Sequence, residues 1–215
     1  MGVPVRRWAG VLAVLLVTGL VTGFGASWAL GENPRGDGTA APVAAASPSL
    51  PVDPVPELFR DPAYPPLEPR LRMVRGQVGT GDFQMVLPVP RGWDFSENSL
   101  NEWQWRPPGQ PSFGYVMRVE QVLSNRRSID WTLNRRIAEL YEDESNVRIL
   151  GQDDGRLHFS YVTSNHLRNG YLTWLDLTGS DNAQVEIAVT GRAVDEEGMA
   201  DLISRVASGI RLGGD

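Results

Sequence analysis

The sequence contains no cysteine and no lysine, so all 20 of its basic side chains are arginines. Without cysteine, the protein has no disulfide scaffold, thiolate metal site, cysteine nucleophile or lipid attachment through cysteine. Without lysine, Schiff-base catalysis and a Walker-type phosphate-binding lysine are excluded. The formal net charge of −6 disfavours nucleic acid as a partner, because phosphate binding requires clustered positive charge.

The rest of the composition indicates a folded protein with additional segments. Hydrophobic residues make up 41% and charged residues 21% of the 215 residues, a balance typical of folded domains. At this length we expect one domain plus extensions.

An uncharged run over residues 8–30 predicts a transmembrane helix. A helix that spans the bilayer needs about 20 apolar residues, and this run reaches that length. Trp8 and Trp28 lie near its two ends, and tryptophan is enriched at both membrane interfaces. The alternative is a cleaved signal peptide, which would release a secreted protein, although the apolar region of such peptides is usually shorter.

The charges that flank this run predict its orientation. Arg6 and Arg7 precede it, and the first acidic residue after it is Glu32. By the positive-inside rule, residues 1–7 are a short cytoplasmic N-terminus and the C-terminal part is extracytoplasmic. The predicted location is therefore the cell membrane, with a single membrane pass.

Residues 31–69 contain most of the chain's 16 prolines, together with many Ala, Gly and Ser residues. Such a segment buries too little apolar surface to offset its chain entropy. We therefore predict a disordered Pro/Ala-rich linker. Its last part, with Leu58-Phe59 and residues 64–67, either packs onto the following domain or stays free, and the sequence leaves this open.

Residues 70–213 have the pattern of a folded domain. Apolar residues alternate with a period of two in several short runs, which is typical of half-buried strands. Asp154-Gly155 predicts a tight hairpin, and tight turns join antiparallel strands. Two segments have helical spacing, one that begins after Ser128 and one that begins near Asp195. The predicted fold class is α+β, an antiparallel sheet covered by helices.

One segment of this domain resembles a known family. A strand that runs into Leu87-Pro88-Val89-Pro90-Arg91-Gly92-Trp93 is similar to the entry motif of the PsbP/LpqN-like superfamily. The order of elements over about residues 72–213 is similar as well. The resemblance implies an α/β/α sandwich, here preceded by a transmembrane helix and a linker. It also implies a non-catalytic adaptor fold of exported or membrane-anchored proteins, and it assigns no binding residues.

The sequence offers few groups for catalysis or metal binding. His158 and His166 are its only histidines, and no third ligand has a suitable spacing. We expect His158 on a strand face and His166 in an exposed turn, and we predict no metal site and no cofactor. An envelope hydrolase remains an alternative only if His158 lies within hydrogen-bond reach of a serine and an acid.

Two kinds of side chain are candidates for partner binding. Trp131 lies off the apolar stripe of the first helix, and Trp174 lies on the strand face opposite Tyr171. The alternative is that the tryptophans fill the core. Arginines before the start of the first helix oppose its macrodipole, and a local rule broken in this way sometimes marks a functional surface. The alternative is that the arginines near this helix only solvate its surface. The candidate arginines are Arg126, Arg127, Arg135 and Arg136.

These features together predict a membrane-anchored, extracytoplasmic protein-interaction adaptor without catalytic activity. Its predicted partner is a protein or another cell-envelope component, not nucleic acid. The alternatives are a carrier of a small molecule or lipid, with an aromatic-lined pocket between sheet and helix, and the envelope hydrolase.

Overall fold

The structure, a computed structural model, describes residues 57–123 and 127–213. They belong to one compact unit, Pro54–Asp215. Within the described ranges, no helix is long and apolar enough to cross a membrane.

Several sequence predictions lie outside the described residues. These are the cytoplasmic segment 1–7, the transmembrane helix 8–30 and the linker up to residue 56. The interface residues and one candidate arginine also lie outside them: Arg6, Arg7, Trp8, Trp28 and Arg126.

The described residues form strands and two α-helices. The strands are β1 (Met73–Val78), β2 (Met85–Pro90), β3 (Asp94–Ser99), β4 (Glu102–Arg106), β5 (Val116–Gln121), β6 (Ser145–Asp153), β7 (Arg156–Thr163), β8 (His166–Leu175), β9 (Val185–Gly191) and β10 (Arg211–Leu212). The helices are α1 (Ile129–Asp143) and α2 (Glu196–Gly209). Short 3-10 turns occupy Gly81–Phe83 and Ala193–Asp195.

Neighbouring strands are antiparallel throughout both sheets. The larger, 7-stranded sheet has the order β3-β4-β5-β9-β8-β7-β6, and the smaller, 3-stranded sheet has the order β1-β2-β10. Asp154-Gly155 connects β6 to β7 as predicted, and Asp153 pairs with Arg156 across this turn. The predicted antiparallel α+β fold with two helices is therefore confirmed.

The two helices pack on opposite faces of the larger sheet. Successive side chains of a strand point to opposite faces. In β9, Ile187 and Val189 join the apolar core beneath α2, whereas Ala188 joins a second core beneath α1. This arrangement is consistent with the predicted α/β/α sandwich.

Both helices begin where their sequence signals predict. The Ser128 side chain accepts a hydrogen bond from the Trp131 backbone N–H at 3.3 Å, which caps the start of α1. On α1, Leu133 and Leu140 are buried. α2 starts at Glu196, and its apolar stripe is buried over Met199, Leu202, Ile203 and Val206.

The end of the predicted linker packs onto the domain, which answers the question the sequence left open. We call residues 57–67 the strap. Phe59 donates its backbone N–H to the Asn165 carbonyl oxygen at 2.7 Å. At the other end of the strap, Leu67 is only 3% exposed and lies in the core beneath α2. Packing therefore begins before the predicted boundary at residue 70.

A buried ion pair holds the strap, and we call it the clasp. Arg192 and Asp195 are 2% and 0% exposed. The Nε and Nη2 atoms of Arg192 donate hydrogen bonds to the Asp195 carboxylate at 2.8 Å and 2.7 Å. Arg192 also donates to the strap carbonyls of Pro62, Tyr64 and Pro65, and Asp195 accepts the Leu67 N–H at 2.9 Å.

Candidate functional site

A cleft of about 270 Å³ lies between α2 and the strands β6 to β8. It is open to solvent on one side and its lining is mostly apolar. β7 and β8 supply its floor with the side chains of His158, Tyr171 and Thr173, and α2 supplies its wall. Concave apolar sites of this kind are where proteins commonly bind small molecules.

Small side chains on α2 create this space. Ala200, Ser204 and Ala207 line the cleft at positions spaced by four and three residues, so they share one side of the helix. Larger side chains at these positions would fill the gap between helix and sheet. These residues were not among the candidates predicted from the sequence. The signal that identifies them is a row of small residues beside the apolar stripe of α2.

A cluster of rings and one acid surrounds the polar end of the cleft. The His158 ring stacks on the Tyr171 ring, with centroids 4.1 Å apart and planes 8° from parallel. Glu196, at the start of α2, places its Oε1 atom 3.8 Å from the Nε2 atom of His158. Asn169 donates to the other oxygen of Glu196 at 3.3 Å. No sequence pattern pointed to this cluster, because its members are far apart in the chain.

Burial favours the uncharged form of both rings. Desolvation lowers the pKa of His158 below its ordinary value, although the nearby Glu196 acts in the opposite direction. Desolvation, followed by the charge of Glu196 and a hydrogen bond to it, raises the pKa of Tyr171 to about 12. The end of the cleft is therefore a flat, neutral pair of stacked rings beside one carboxylate.

The lowered pKa of His158 predicts that acid destabilises the fold. The unfolded chain takes up a proton near the ordinary pKa of 6.5, whereas the folded protein does so only at lower pH. Stability is thus fully present above the unfolded pKa and falls as the pH drops through it. His158→Phe keeps an aromatic ring on Tyr171 and removes the titration.

We expect the melting temperature of the His158→Phe variant to decline less than that of the wild type between about pH 7 and pH 5. Thermal unfolding at matched ionic strength measures this difference. Parallel curves for the two proteins would contradict it.

The structure places the predicted Trp131 and Arg127 together on the surface of the domain. Trp131 is 52% exposed, and the Arg127 guanidinium carbon lies 5.7 Å from the centre of its ring. Arg135 is one turn further along α1 and pairs with Glu139 at 2.8 Å. The partner-binding role of these residues stays a prediction.

Arg136 points elsewhere, into a second cleft of about 230 Å³ between α1 and the sheet. This cleft is more polar than the first, and Arg118, Glu144 and Tyr161 also line it. Arg136 therefore does not share a surface site with Trp131, although both residues belong to α1. It also lies 3.7 Å from Glu139, which pairs with Arg135 too.

The prediction of Trp174 as a surface residue is wrong. Trp174 is 2% exposed and belongs to the core beneath α1. Its indole N–H donates to Glu186 on the neighbouring strand β9 at 3.0 Å. The face of β8 on which Trp174 lies was predicted correctly, but α1 covers that face. A period-two pattern does not show which layer packs on a sheet.

The two histidines lie at different places along the β7–β8 pair. His158 is opposite Tyr171, whereas His166 is opposite Thr163 near the connecting turn. His166 was expected in an exposed turn, but it begins β8 and is only 9% exposed, because the strap and Phe113 pack against it. In the part of the chain that the structure describes, no cluster of at least three His, Cys, Asp or Glu side chains is placed to hold a metal ion.

The condition for the hydrolase alternative is not met among the described residues. The Nε2 atom of His158 is buried and forms no hydrogen bond. Its nearest acid oxygen, on Glu196, is 3.8 Å away, which is longer than a hydrogen bond.

Comparison with known proteins finds a likeness to a solved structure. No family model matches the sequence, and no curated protein matches it at a significant level. The structure is similar to a crystal structure described as that of LpqN involved in cell envelope biogenesis of Mycobacterium tuberculosis. The TM-score is 0.42 at 14% sequence identity, and the match covers 65% of this chain and 91% of LpqN.

LpqN also gives its name to the superfamily that the sequence resembles. The similarity is too low to transfer any role or site from LpqN to this chain.

Proposed function

We propose that this domain is a non-catalytic binding module that holds the apolar part of a small molecule in the cleft beside α2. The observation that supports the proposal is the cleft itself, a concave space with a mostly apolar lining and a stacked ring pair at one end. This corresponds to the carrier alternative from the sequence, and it takes precedence over the adaptor.

The chemistry of the cleft favours an uncharged apolar group such as a ring or an acyl chain. Ala200, Ile203 and Ala207 supply apolar contacts, and removing such a group from water stabilises the complex. The faces of aromatic rings stack well on flat groups. Glu196 is the nearest acid to the His158 ring, and its negative charge disfavours a ligand anion at that end.

The proposal includes an extracytoplasmic location. It rests on the uncharged run 8–30 and on Arg6 and Arg7 before it, which predict an anchor with the domain outside. A module on a proline-rich tether is able to take up a ligand at the membrane and release it nearby.

Two serines of α2 provide a matched test of the cleft. Ser204 lines it, whereas Ser208 is also exposed but is not part of its lining. We expect Ser204→Trp to fill the cleft and to weaken binding of the neutral dye Nile red on the order of tenfold or more. Ser208→Trp should bind the dye as the wild type does.

Dye fluorescence titrations of the full chain in detergent measure both affinities, with dye in protein-free micelles as the blank. Equal affinity in the Ser204→Trp and Ser208→Trp variants would overturn the proposed function. Saturable binding that only Ser204→Trp removes would support it.

The exposed Trp131 favours a second candidate function, the protein-interaction adaptor. A half-exposed tryptophan with a stacked arginine is typical of residues that dominate protein interfaces. Retention of a specific membrane protein by the immobilised full chain, lost in the Trp131→Ala variant but kept in Ser204→Trp, would favour this adaptor. Retention that is the same in all three proteins would count against it.

A further inference from the structure

The strap crosses the sheet at two residues of β8, His166 and Arg168. In β8, Tyr171 faces the cleft beside α2, whereas Arg168 is on the opposite face with Leu172 and Trp174. The strap residue Asp61 reaches Arg168 here and binds its Nη1 atom at 2.7 Å. The place is thus distinct from the cleft of the proposed function.

Arg168 has donors that the protein leaves unpaired. Its side chain is only 4% exposed, and its Nη1 atom donates to Asp61 and to the Leu167 carbonyl oxygen. Its Nε and Nη2 atoms are buried and form no hydrogen bond. A buried donor without a partner destabilises the fold, and more so on a charged group, so this edge of the guanidinium requires an explanation.

His166 adds a further unpaired group beside this arginine. Its buried Nδ1 atom forms no hydrogen bond, although the nearest oxygen of Asp61 is 3.5 Å away. The Phe113 ring stacks on the imidazole with centroids 4.6 Å apart, and it lies 5.7 Å from the guanidinium carbon of Arg168. The strap's Phe59 also contacts the His166 ring, edge to face, with centroids 5.7 Å apart. These rings fix the orientation of both basic groups.

We propose that Arg168 and His166 form a binding site for an oxyanion group, a carboxylate or a phosphate. The Nε and Nη2 atoms of arginine present parallel N–H groups, which match two oxygens of such a group. Asp61 is a carboxylate of the chain itself that already binds the other side of the guanidinium. It therefore competes with the incoming anion and ties occupancy of the site to the position of the strap.

The strap is weakly held where it covers this site. Residues 57–60 are exposed, and the contacts of residues 57–61 are the Phe59 backbone bond to Asn165, the ring contact with His166 and the Asp61 pair. The strong clasp of Arg192 and Asp195 acts further along, on residues 62–67. The first residues of the strap are thus able to move aside for an anion while the rest stays attached.

Calorimetric titration of the full chain in detergent with inorganic phosphate, and separately with acetate, tests the site at constant ionic strength. Wild-type protein should bind at least one of the two anions saturably. Asp61→Ala removes the competing charge, and we expect this variant to bind on the order of tenfold more tightly. Arg168→Lys keeps the charge but loses the paired N–H groups, so binding should disappear. Arg135→Lys, an exposed arginine, is the matched control and should bind as the wild type does.

Stronger binding of phosphate than of acetate identifies a phosphate ligand, and the reverse order identifies a carboxylate. In the wild type, the ¹⁵N-detected Nε–H resonance of Arg168 should shift with the same dissociation constant, and this readout does not depend on the folding of any variant. An unshifted resonance, or unchanged affinity in either Asp61→Ala or Arg168→Lys, would overturn the site.

Discussion

Replacement of Arg192 by methionine is expected to destabilise the domain by about 3–5 kcal/mol. Asp195 is fully buried, and Arg192 is the cation that compensates its charge. Methionine retains much of the side-chain volume but leaves this carboxylate without its ion-pair partner. The carbonyl oxygens of Pro62, Tyr64 and Pro65 lose their donors in the same step.

The strap should be released together with this loss of stability. Its carbonyls and the Leu67 N–H converge on the clasp, so the clasp is what links residues 62–67 to the start of α2. We expect protease cleavage within the strap to become faster in the Arg192→Met variant than in the wild type. Equilibrium unfolding in urea measures the free energy, and limited proteolysis followed by mass spectrometry locates the cut.

Arg135→Met is the matched control for this substitution. The Arg135 side chain is 54% exposed and pairs with Glu139 on the same helix, a kind of pair worth about 0.3–0.5 kcal/mol. If the two arginine variants lose similar stability, the clasp does not hold the strap in the way the geometry indicates.

Gly198→Ala is expected to disturb the strap by steric overlap and not by loss of an ion pair. A Cβ atom at Gly198 would overlap the carbonyl group of Leu67. In an ordinary helix, replacing glycine by alanine stabilises the protein by about 1 kcal/mol. A loss of stability in the Gly198→Ala variant would therefore be opposite to the usual effect. We expect that loss, together with faster cleavage of the strap.

Trp174→Ala is the second substitution with a large expected effect, a loss of about 3–5 kcal/mol. The side chain fills the core between β8 and α1, where Leu133 and Leu172 are also buried. Its removal leaves a cavity and deprives Glu186 of the indole hydrogen bond. Because α1 packs on this core, we expect the helix to lose protection against amide hydrogen exchange before α2 does.

Trp131→Ala provides the comparison for Trp174→Ala. Trp131 is half exposed on the outer surface of α1, so its truncation should change stability by no more than about 0.5 kcal/mol. Urea unfolding of both variants checks the difference. A large loss for Trp131, or a small one for Trp174, would mean that the packing of α1 differs from the described arrangement.

Local signals in the sequence were sufficient for the two helices and the hairpin between β6 and β7. The Ser128 cap, the Asp154-Gly155 hairpin and the acidic first turn of α2 each act within a few residues. Each can therefore be recognised in the sequence without knowledge of the fold. Alternation likewise predicted several of the strands, because a sheet residue alternates between its two faces whatever packs on them. It did not predict β3, whose residues are all exposed.

The candidate sites depended on contacts between distant parts of the chain. The cleft requires Tyr171 of β8, His158 of β7 and the start of α2 to meet, and the proposed anion site requires the strap to reach β8. No spacing rule connects these positions. A histidine in a predicted turn was therefore taken as exposed, although the strap and Phe113 bury it.

The sequence by itself determined the composition limits, the antiparallel α+β class, the two helices and the expectation of an anchored N-terminus. Only the tertiary structure decided that Trp174 is core and Trp131 is surface, that the strap belongs to the domain, and that a cleft opens beside α2. The reason is physical. Hydrogen-bonding pattern and side-chain period are local properties, whereas burial depends on which layer covers a face, and that is set by the packing of the whole chain.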